Sequence, residues 1–315
     1  MLAAGEQRRE ERRMDALNTM TYEVTDRVAR ITFNRPERGN AIVADTPVEL
    51  AALVERADLD PRVHVILVSG RGAGFCAGFD LGAYADRSSA GGGGDRRDTV
   101  LDGRIQATNH RPDQPWDPMI DYQMMSRFVR GFASLMHADK PTVVKIHGYC
   151  IAGGTDIALH ADQVIAAADA KIGYPPMRVW GVPAAGLWAH RLGDQRAKRL
   201  LFTGDCITGA QAAEWGLAVE APEPDDLDER TERLVERIAS MPVNQLIMAK
   251  LACNAALLNQ GVATSQMIST VFDGIARHTP EGHAFVADAT AHGFREAVRH
   301  RDEPRGDHGR RTSGV

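Results

Sequence analysis

Two stretches decide the reading of this chain: Phe75-Cys76-Ala77-Gly78-Phe79-Asp80-Leu81 and His147-Gly148-Tyr149-Cys150-Ile151-Ala152-Gly153-Gly154-Thr155-Asp156. Each follows a β-type run, Val63 to Val68 before the first and Thr142 to Ile146 before the second, so each glycine turn sits where a strand hands the chain to a helix. Two such exits can converge on one cleft. Their uncrowded backbone N–H groups would then face a common point, the arrangement that holds a developing oxyanion in acyl chemistry.

Outward from these turns, strand and helix signals alternate. Tyr22-Glu23-Val24 and Val28 to Phe33 flank the turn-like Thr25-Asp26-Arg27 and predict an antiparallel hairpin. Asn34-Arg35-Pro36 breaks the second strand, and Asp45-Thr46-Pro47 predicts a helix start. Residues 82–120 read as a long flexible loop containing Gly91 to Gly94, a linker composition with no strand before it that would cradle phosphate. Helical periodicity resumes near Asp121, and a strand is predicted over Gln163 to Ala168. Helices are predicted over 196–202, 209–215, 226–241, 245–259 and 281–299, giving a βα-rich core over 20–220 and a helical region over 221–300. Residues 1–19 and 301–315 read as disordered charged tails.

Composition narrows the partners. With 315 residues, 43% hydrophobic and 25% charged, the chain is expected to be globular. A formal net charge of −5 leaves no surplus to neutralise a phosphate backbone, so nucleic acid is not an expected partner. No apolar run reaches membrane-spanning length, and Cys76, Cys150, Cys206 and Cys253 lack paired metal-ligand spacing, so reduced thiols, a cytoplasmic location and no membrane are expected.

The order of short marks resembles the crotonase, or enoyl-CoA hydratase/isomerase, superfamily over roughly residues 20–300. They are Asn34-Arg35-Pro36 with Asn40-Ala41, the first turn, Ala152-Gly153-Gly154, Ala161-Asp162, Ile172-Gly173-Tyr174-Pro175, Gly181-Val182-Pro183, Arg191-Leu192-Gly193, Leu201-Phe202-Thr203-Gly204 and Ala213 to Leu217. The resemblance implies an α/β fold, a ββα spiral with a helical C-terminal trimerisation region. It also implies an acyl-CoA substrate and a homotrimer or hexamer. It places the thioester oxygen on the N–H groups of Phe79 and Gly153, and the adenine and pantetheine arm along Ala77, Phe79, Asp80 and Leu81, with Arg38 as a candidate for a CoA phosphate. Each oxyanion donor contributes about 3 to 4 kcal/mol in such a transition state, and the helix beginning near Gly154 would add the positive end of its dipole. CoA enters as part of the substrate, and no metal or other cofactor is expected.

The pattern breaks at the proton-handling groups. Hydratases of this family place a glutamate three residues after the middle glycine and another in a Pro-Glu pair; here those positions hold Asp156 and Pro176. Asp156 is the candidate base, against the plainer role of a carboxylate in a helix first turn. One base suffices for a double-bond shift, whereas water addition requires a partner, for which Asp102, Asp117, Asp121 and Tyr122 are candidates. His147 is a further acid–base candidate, with a structural hydrogen bond at a strand end as the alternative. Tyr149 and Tyr174 could line an acyl pocket, and Asp162 is expected to tie a backbone turn. The function expected is polarisation of a CoA thioester for water addition or double-bond shift. The alternatives are hydrolysis or C–C cleavage of a thioester or β-dicarbonyl, and a non-catalytic CoA-binding or RNA-associated scaffold.

Overall fold

The computed structural model describes residues 17–81, 109, 111 and 113–303. The chain opens with β1 (Met20–Thr25) and β2 (Val28–Phe33), which pair antiparallel through a two-residue turn whose Asp26 and Arg27 have φ of 49° and 65°. Positive φ at both central positions matches the strand twist and makes the hairpin tight. Next come α1 (Asp45–Leu59), β3 (Val65–Gly70), α2 (Pro118–His137), β4 (Thr142–Ile146), β5 (Tyr149–Ile151), α3 (Gly153–Ala158), β6 (Gln163–Ala166) and β7 (Lys171–Gly173). Among the described residues, β1-β2-β3-β4-β6 form one sheet, parallel from β2 onward. A second sheet, β5-β7-β8, is completed by β8 (Cys206–Thr208).

The central strands are buried on both faces, so Val28, Ile31, Ile66, Val68, Val143, Val144 and Ile165 are apolar without alternation. Helix α1 turns Leu50, Leu53, Val54 and Ala57 inward at helical spacing, and α2 adds Phe128, Phe132 and Leu135. Each such large side chain, fully removed from water, contributes about 1.5–3 kcal/mol.

After β7 come α4 (Trp188–Leu192), α5 (Asp194–Thr203) and α6 (Gly209–Glu214), the last begun by a reciprocal cap in which Gln211 N–H donates to Thr208 Oγ1 at 3.1 Å and Thr208 N–H to Gln211 Oε1 at 2.9 Å. The C-terminal region is helical as expected: α7 (Leu227–Ala239), α8 (Val243–Leu258), α9 (Val262–Arg277), α10 (Pro280–His292) and α11 (Phe294–Asp302). Among the described residues no single helix is long and apolar enough to cross a membrane.

The differences from the sequence reading have local causes. Helix α9 was not predicted, because its opening residues Val262-Ala263-Thr264-Ser265 carry neither charge nor an apolar stripe. The expected single helix over 281–299 is two helices broken at Gly293, whose φ is 87°. The C-terminal helix continues through Arg301 and Asp302, past the boundary drawn at 300. Helix α2 begins at Pro118 rather than near Asp121, with the Asp117 side chain accepting from Met119 N–H at 2.8 Å, so residues 118–120 leave the long loop. Residues 17–19 are held, since Asn18 and Thr19 N–H both donate to the Glu49 carboxylate, at 2.7 and 2.9 Å. Residues 82–108, with most of the expected loop and Asp102, and residues 1–16 and 304–315 of the tails, lie outside the described residues.

Candidate active site

The two glycine turns run side by side. Phe75 N–H donates to Tyr149 C=O at 2.9 Å, Cys76 and Cys150 form a parallel bridge, and Ile151 N–H donates to Cys76 C=O at 2.9 Å. On its other edge the first turn pairs with Ile42, which donates to Gly78 C=O at 2.8 Å and accepts from Asp80 N–H at 2.9 Å. Parallel pairing of that kind uses the groups flanking Phe79 and aims the Phe79 N–H away from Ile42, toward the second turn. Close contacts confirm the convergence. Gly78 has φ 94°, and a Cβ there would sit 2.9 Å from Ala152 Cβ and 3.4 Å from Gly153 N; a Cβ on Gly153 would lie 2.7 Å from the Phe79 ring.

Gly153 is the first residue of α3, so its N–H has no partner inside the helix. Among the described residues, neither this N–H nor that of Phe79 meets an acceptor. Ala152 before it is held at φ 52° and ψ −123°, a conformation costly for a residue with a Cβ. Its carbonyl accepts from Thr155 N–H at 2.8 Å and Thr155 Oγ1 at 2.6 Å, and its N–H donates to Gly173 C=O at 3.0 Å, which fixes the strained peptide. The helix is six residues long, too short for its dipole to add much.

Asp156, on the first turn of α3, is completely buried. Oδ1 accepts from Ala185 N–H at 3.1 Å, whereas Oδ2 has no hydrogen-bond partner among the described residues. Burial, reinforced by the nearby charge of Asp273, pushes its carboxyl well above the usual carboxylate range. Four residues on, His160 Nδ1–H donates to Asp156 C=O at 2.6 Å and Nε2 accepts from Gln266 Nε2 at 2.8 Å. Burial lowers that imidazole to a pKa of about 3, so it is a neutral strut joining α3 to α9.

Pro176 lies in a 3-10 turn, Pro175–Arg178, where its carbonyl accepts from the Val179, Trp180 and Gly181 N–H groups; it carries no proton. The carboxylate that does lie near Asp156 comes from α9. Asp273 pairs with Arg277 one turn on and accepts from Val182 N–H, while Thr270 Oγ1 donates to Ala184 C=O at 3.1 Å. Residues 182–185 are thus clasped between Asp156 and α9. Arg277 also reaches Asp121 at 3.1 Å, and Asp121 accepts from Trp116 Nε1–H at 2.6 Å and Asn109 Nδ2 at 3.0 Å. Asp121 and Asp273 are therefore committed to one buried guanidinium. Sequence reasoning missed Asp273, Arg277 and Gln266; the one available signal was the Asp273/Arg277 spacing of four, which also reads as a surface ion pair.

Other candidates find plainer places. Asp117 caps α2. His147 Nε2–H donates to Gly72 C=O at 2.8 Å, the structural alternative. Asp162 ties a turn as expected, accepting from Thr142 N–H at 2.8 Å and pairing with the buried Lys250 at 2.9 Å. Tyr149 packs on Gly74 and Gly39, and Tyr174 is buried with its hydroxyl donating to Val182 C=O at 3.1 Å. The Asp80 carboxylate takes Arg35 at 2.9 Å and Arg38 at 3.6 Å, which braces the first turn. The N–H groups of Ala77, Asp80 and Leu81 are spent on Gly39, Ile42 and Phe79 carbonyls at 2.9–3.0 Å, so along this turn Phe79 offers the outward donor. Ala77 is exposed and Arg38 half exposed, both at the mouth of the turn. Burial pushes the Cys76 thiol up to about 12, which keeps it an inert packing group beside the turn.

Comparison with known proteins gives the family. The family model described as enoyl-CoA hydratase/isomerase matches residues 23–107 and 118–287. The crystal structure of an enoyl-CoA hydratase from Mycobacterium smegmatis is 84% identical, with a TM-score of 0.88, over 96% of this chain and 99% of that one. The (E)-benzylidenesuccinyl-CoA hydratase of Thauera aromatica is 27% identical over 88% of this chain and 99% of its own. The 1,2-epoxyphenylacetyl-CoA isomerase of Escherichia coli is 28% identical over 74% of this chain and 80% of its own. With a matching family model along most of its length and a matching fold, the chain belongs to the enoyl-CoA hydratase/isomerase family and is an acyl-CoA-processing enzyme of that type.

Proposed function

We propose that the Phe79 and Gly153 N–H groups hold the thioester oxygen of an enoyl-CoA and that Asp156 moves one proton between carbons of the acyl chain, shifting a double bond. The observation that carries this reading is Asp156 Oδ2, on the residue three positions after Gly153, the one buried carboxylate oxygen without a hydrogen-bond partner among the described residues. The ionised carboxylate takes a proton from the carbon next to the thioester of a 3-enoyl-CoA. The electron pair delocalises onto the thioester oxygen, where the two N–H groups stabilise it, and the same carboxyl returns the proton to the γ-carbon. Substrate and product are isomers, and no cofactor beyond the substrate's own CoA enters. An elevated carboxyl pKa suits both halves of that exchange. Water addition needs a second acid–base group, and the neighbouring Asp121 and Asp273 are already paired with Arg277.

The test is a panel of 3-enoyl-CoA and trans-2-enoyl-CoA substrates followed by the absorbance of the conjugated thioester. Formation of conjugated product from the 3-enoyl substrate, with slow loss of the 2-enoyl substrate, is the expected result. Rapid hydration without isomerisation would sink the single-base reading.

The oligomeric reading rests on an inverted helix. On α9 the polar Thr270 and Asp273 face inward while Ile268, Phe272 and Ile275 form an outward stripe, and on α8 Lys250 is buried while Met248 and Leu251 are each 54% exposed. Apolar stripes of this kind are covered in assembled proteins. A homotrimer, or paired trimers, is proposed, and light scattering should give three or six times the 34.3 kDa chain mass. The double substitution Ile268→Glu with Phe272→Glu should shift that mass toward the monomer, and an unchanged mass would place the interface elsewhere. The four free thiols of Cys76, Cys150, Cys206 and Cys253 support a reducing, cytoplasmic setting.

A further inference from the structure

The last two helices carry a group of residues that the acyl-CoA chemistry does not use. Asp288 and His292 are four residues apart on α10, and Glu296 and His300 are four apart on α11, so each pair projects from one helix face. The break at Gly293 folds the two faces together. His292 Nδ1 lies 2.7 Å from Asp288 Oδ1, His300 Nδ1 lies 3.0 Å from Asp288 Oδ2, and the two imidazole rings meet edge to face at 5.6 Å. One donor atom from each of Asp288, His292 and His300 lies within 4.8 Å of the others.

We propose that Asp288, His292 and His300 form a binding site for a divalent transition-metal ion of the zinc, cobalt or nickel type. Two imidazole nitrogens and one carboxylate oxygen are the donor set these ions favour over magnesium or calcium. At metal–ligand distances of about 2.0–2.1 Å, tetrahedral donors stand about 3.3 Å apart, so small rotamer changes close the set from its present spacing. Water completes the coordination, because both imidazoles are exposed, at 57% and 40%. Glu296 is held instead by Arg299 and, at 3.3 Å from His300 Nε2, stands behind that imidazole as its orienting partner.

The ion would have a structural role. Phe285 of α10 and Phe294 of α11 pack edge to face at 5.5 Å, and Phe285 lies 5.1 Å from Trp180. Asp302 of α11 meets the buried Arg178 at 2.9 Å. The helix pair therefore rests on the turn 175–181 that leads into the residues clasped by Asp156, and a metal bridging α10 to α11 pins it there.

The experiment uses the full-length protein, stripped with a chelator and titrated with Zn²⁺ by calorimetry and with Co²⁺ by visible absorption. One ion per chain is expected, with a Co²⁺ spectrum indicating nitrogen ligation. His292→Ala and His300→Ala should each weaken binding at least tenfold, the double variant should abolish it, and Cys253→Ser should leave it intact. Zn²⁺ at a hundredfold over Kd should raise the folded-to-unfolded ratio about a hundredfold in the parent and not in the double variant. Absence of stoichiometric binding would overturn the proposal, as would binding unchanged in the double variant. The side chains are exposed, so the variants should fold, which a superimposable circular dichroism spectrum checks.

Discussion

Asp156→Asn should lower kcat about 10³-fold, leave KM within a few-fold, and make the protein more stable. The kinetic part follows from the proposed role: removing a positioned acid–base group costs about 10²–10⁴ in rate, while the thioester oxygen and the CoA arm are held elsewhere. The stability part follows from burial. Asparagine keeps the shape and the Oδ1 acceptor for Ala185 N–H, but never ionises. In the parent, burial raises the native carboxyl's pKa above its unfolded value, so the native state binds this proton more tightly. That contribution is fully present below the ordinary carboxylate pKa of roughly 4 and is lost as pH rises through the raised native value. The variant's advantage should therefore grow from acidic to alkaline pH, at about 1.5 °C in Tm for each kcal/mol gained in a chain of this length. In the parent, the acidic limb of the kcat profile should lie above the usual carboxylate range, because the first step needs the ionised form. A variant that keeps kcat within tenfold would remove Asp156 from the chemistry. One that loses stability at every pH would assign it the plainer role of a carboxylate that serves the fold.

Gly78→Ala tests the other half of the site and should lower kcat/KM about 10³-fold. The proposed donors are backbone amides, so no side-chain deletion removes them, but this methyl displaces one or the other. At φ 94° an alanine is strained, and its Cβ would press on Ala152 Cβ at 2.9 Å and sit 3.4 Å from Gly153 N. Relief of that contact moves the Phe79 N–H, one residue on, or the Gly153 N–H, and losing one oxyanion donor costs about 10²–10³. Steady-state kinetics beside a thermal melt separates misaligned donors from lost structure: the strain alone costs about 1–3 kcal/mol, which leaves a protein of this size folded. Phe79→Leu is the control. It keeps the N–H and removes only an aromatic ring that meets Phe128 edge to face at 5.2 Å, so its effect should stay within about tenfold. Equal losses in the two variants would mean that packing around the Phe79 ring, rather than the amides, carries the activity.

The fold was legible because its marks are local. A glycine turn after an apolar strand and before a short helix declares its conformation within ten residues, and the hairpin at Asp26-Arg27 does the same. Asp156 was legible by its spacing from Gly153, and Pro176 was legible as the gap in the proton-handling pair. Helix α9 was not, since its opening residues Val262-Ala263-Thr264-Ser265 carry neither charge nor an apolar stripe, and its polar face, which a surface helix would turn to water, points inward. That inversion hid the burial of Thr270 and of Asp273 and Arg277, whose spacing of four reads from sequence alone as an exposed ion pair. It also left Asp121 open as a replacement acid, when its carboxylate is bound by Trp116, Asn109 and Arg277.

By itself the sequence determined the two turns and the strands and helices next to them, because these are written in short-range spacing and backbone conformation, and its resemblance to a known family implied the acyl-CoA class of chemistry. The tertiary structure alone decided which carboxyls are paired. Asp156 keeps an unpartnered, buried oxygen, while Asp121 and Asp273, chemically the same group, are committed to Arg277. The physical reason is that a carboxylate's state depends on what surrounds it and how far it lies from water, and residues 109–121, 156, 182–185 and 273–277 meet only when the chain has folded.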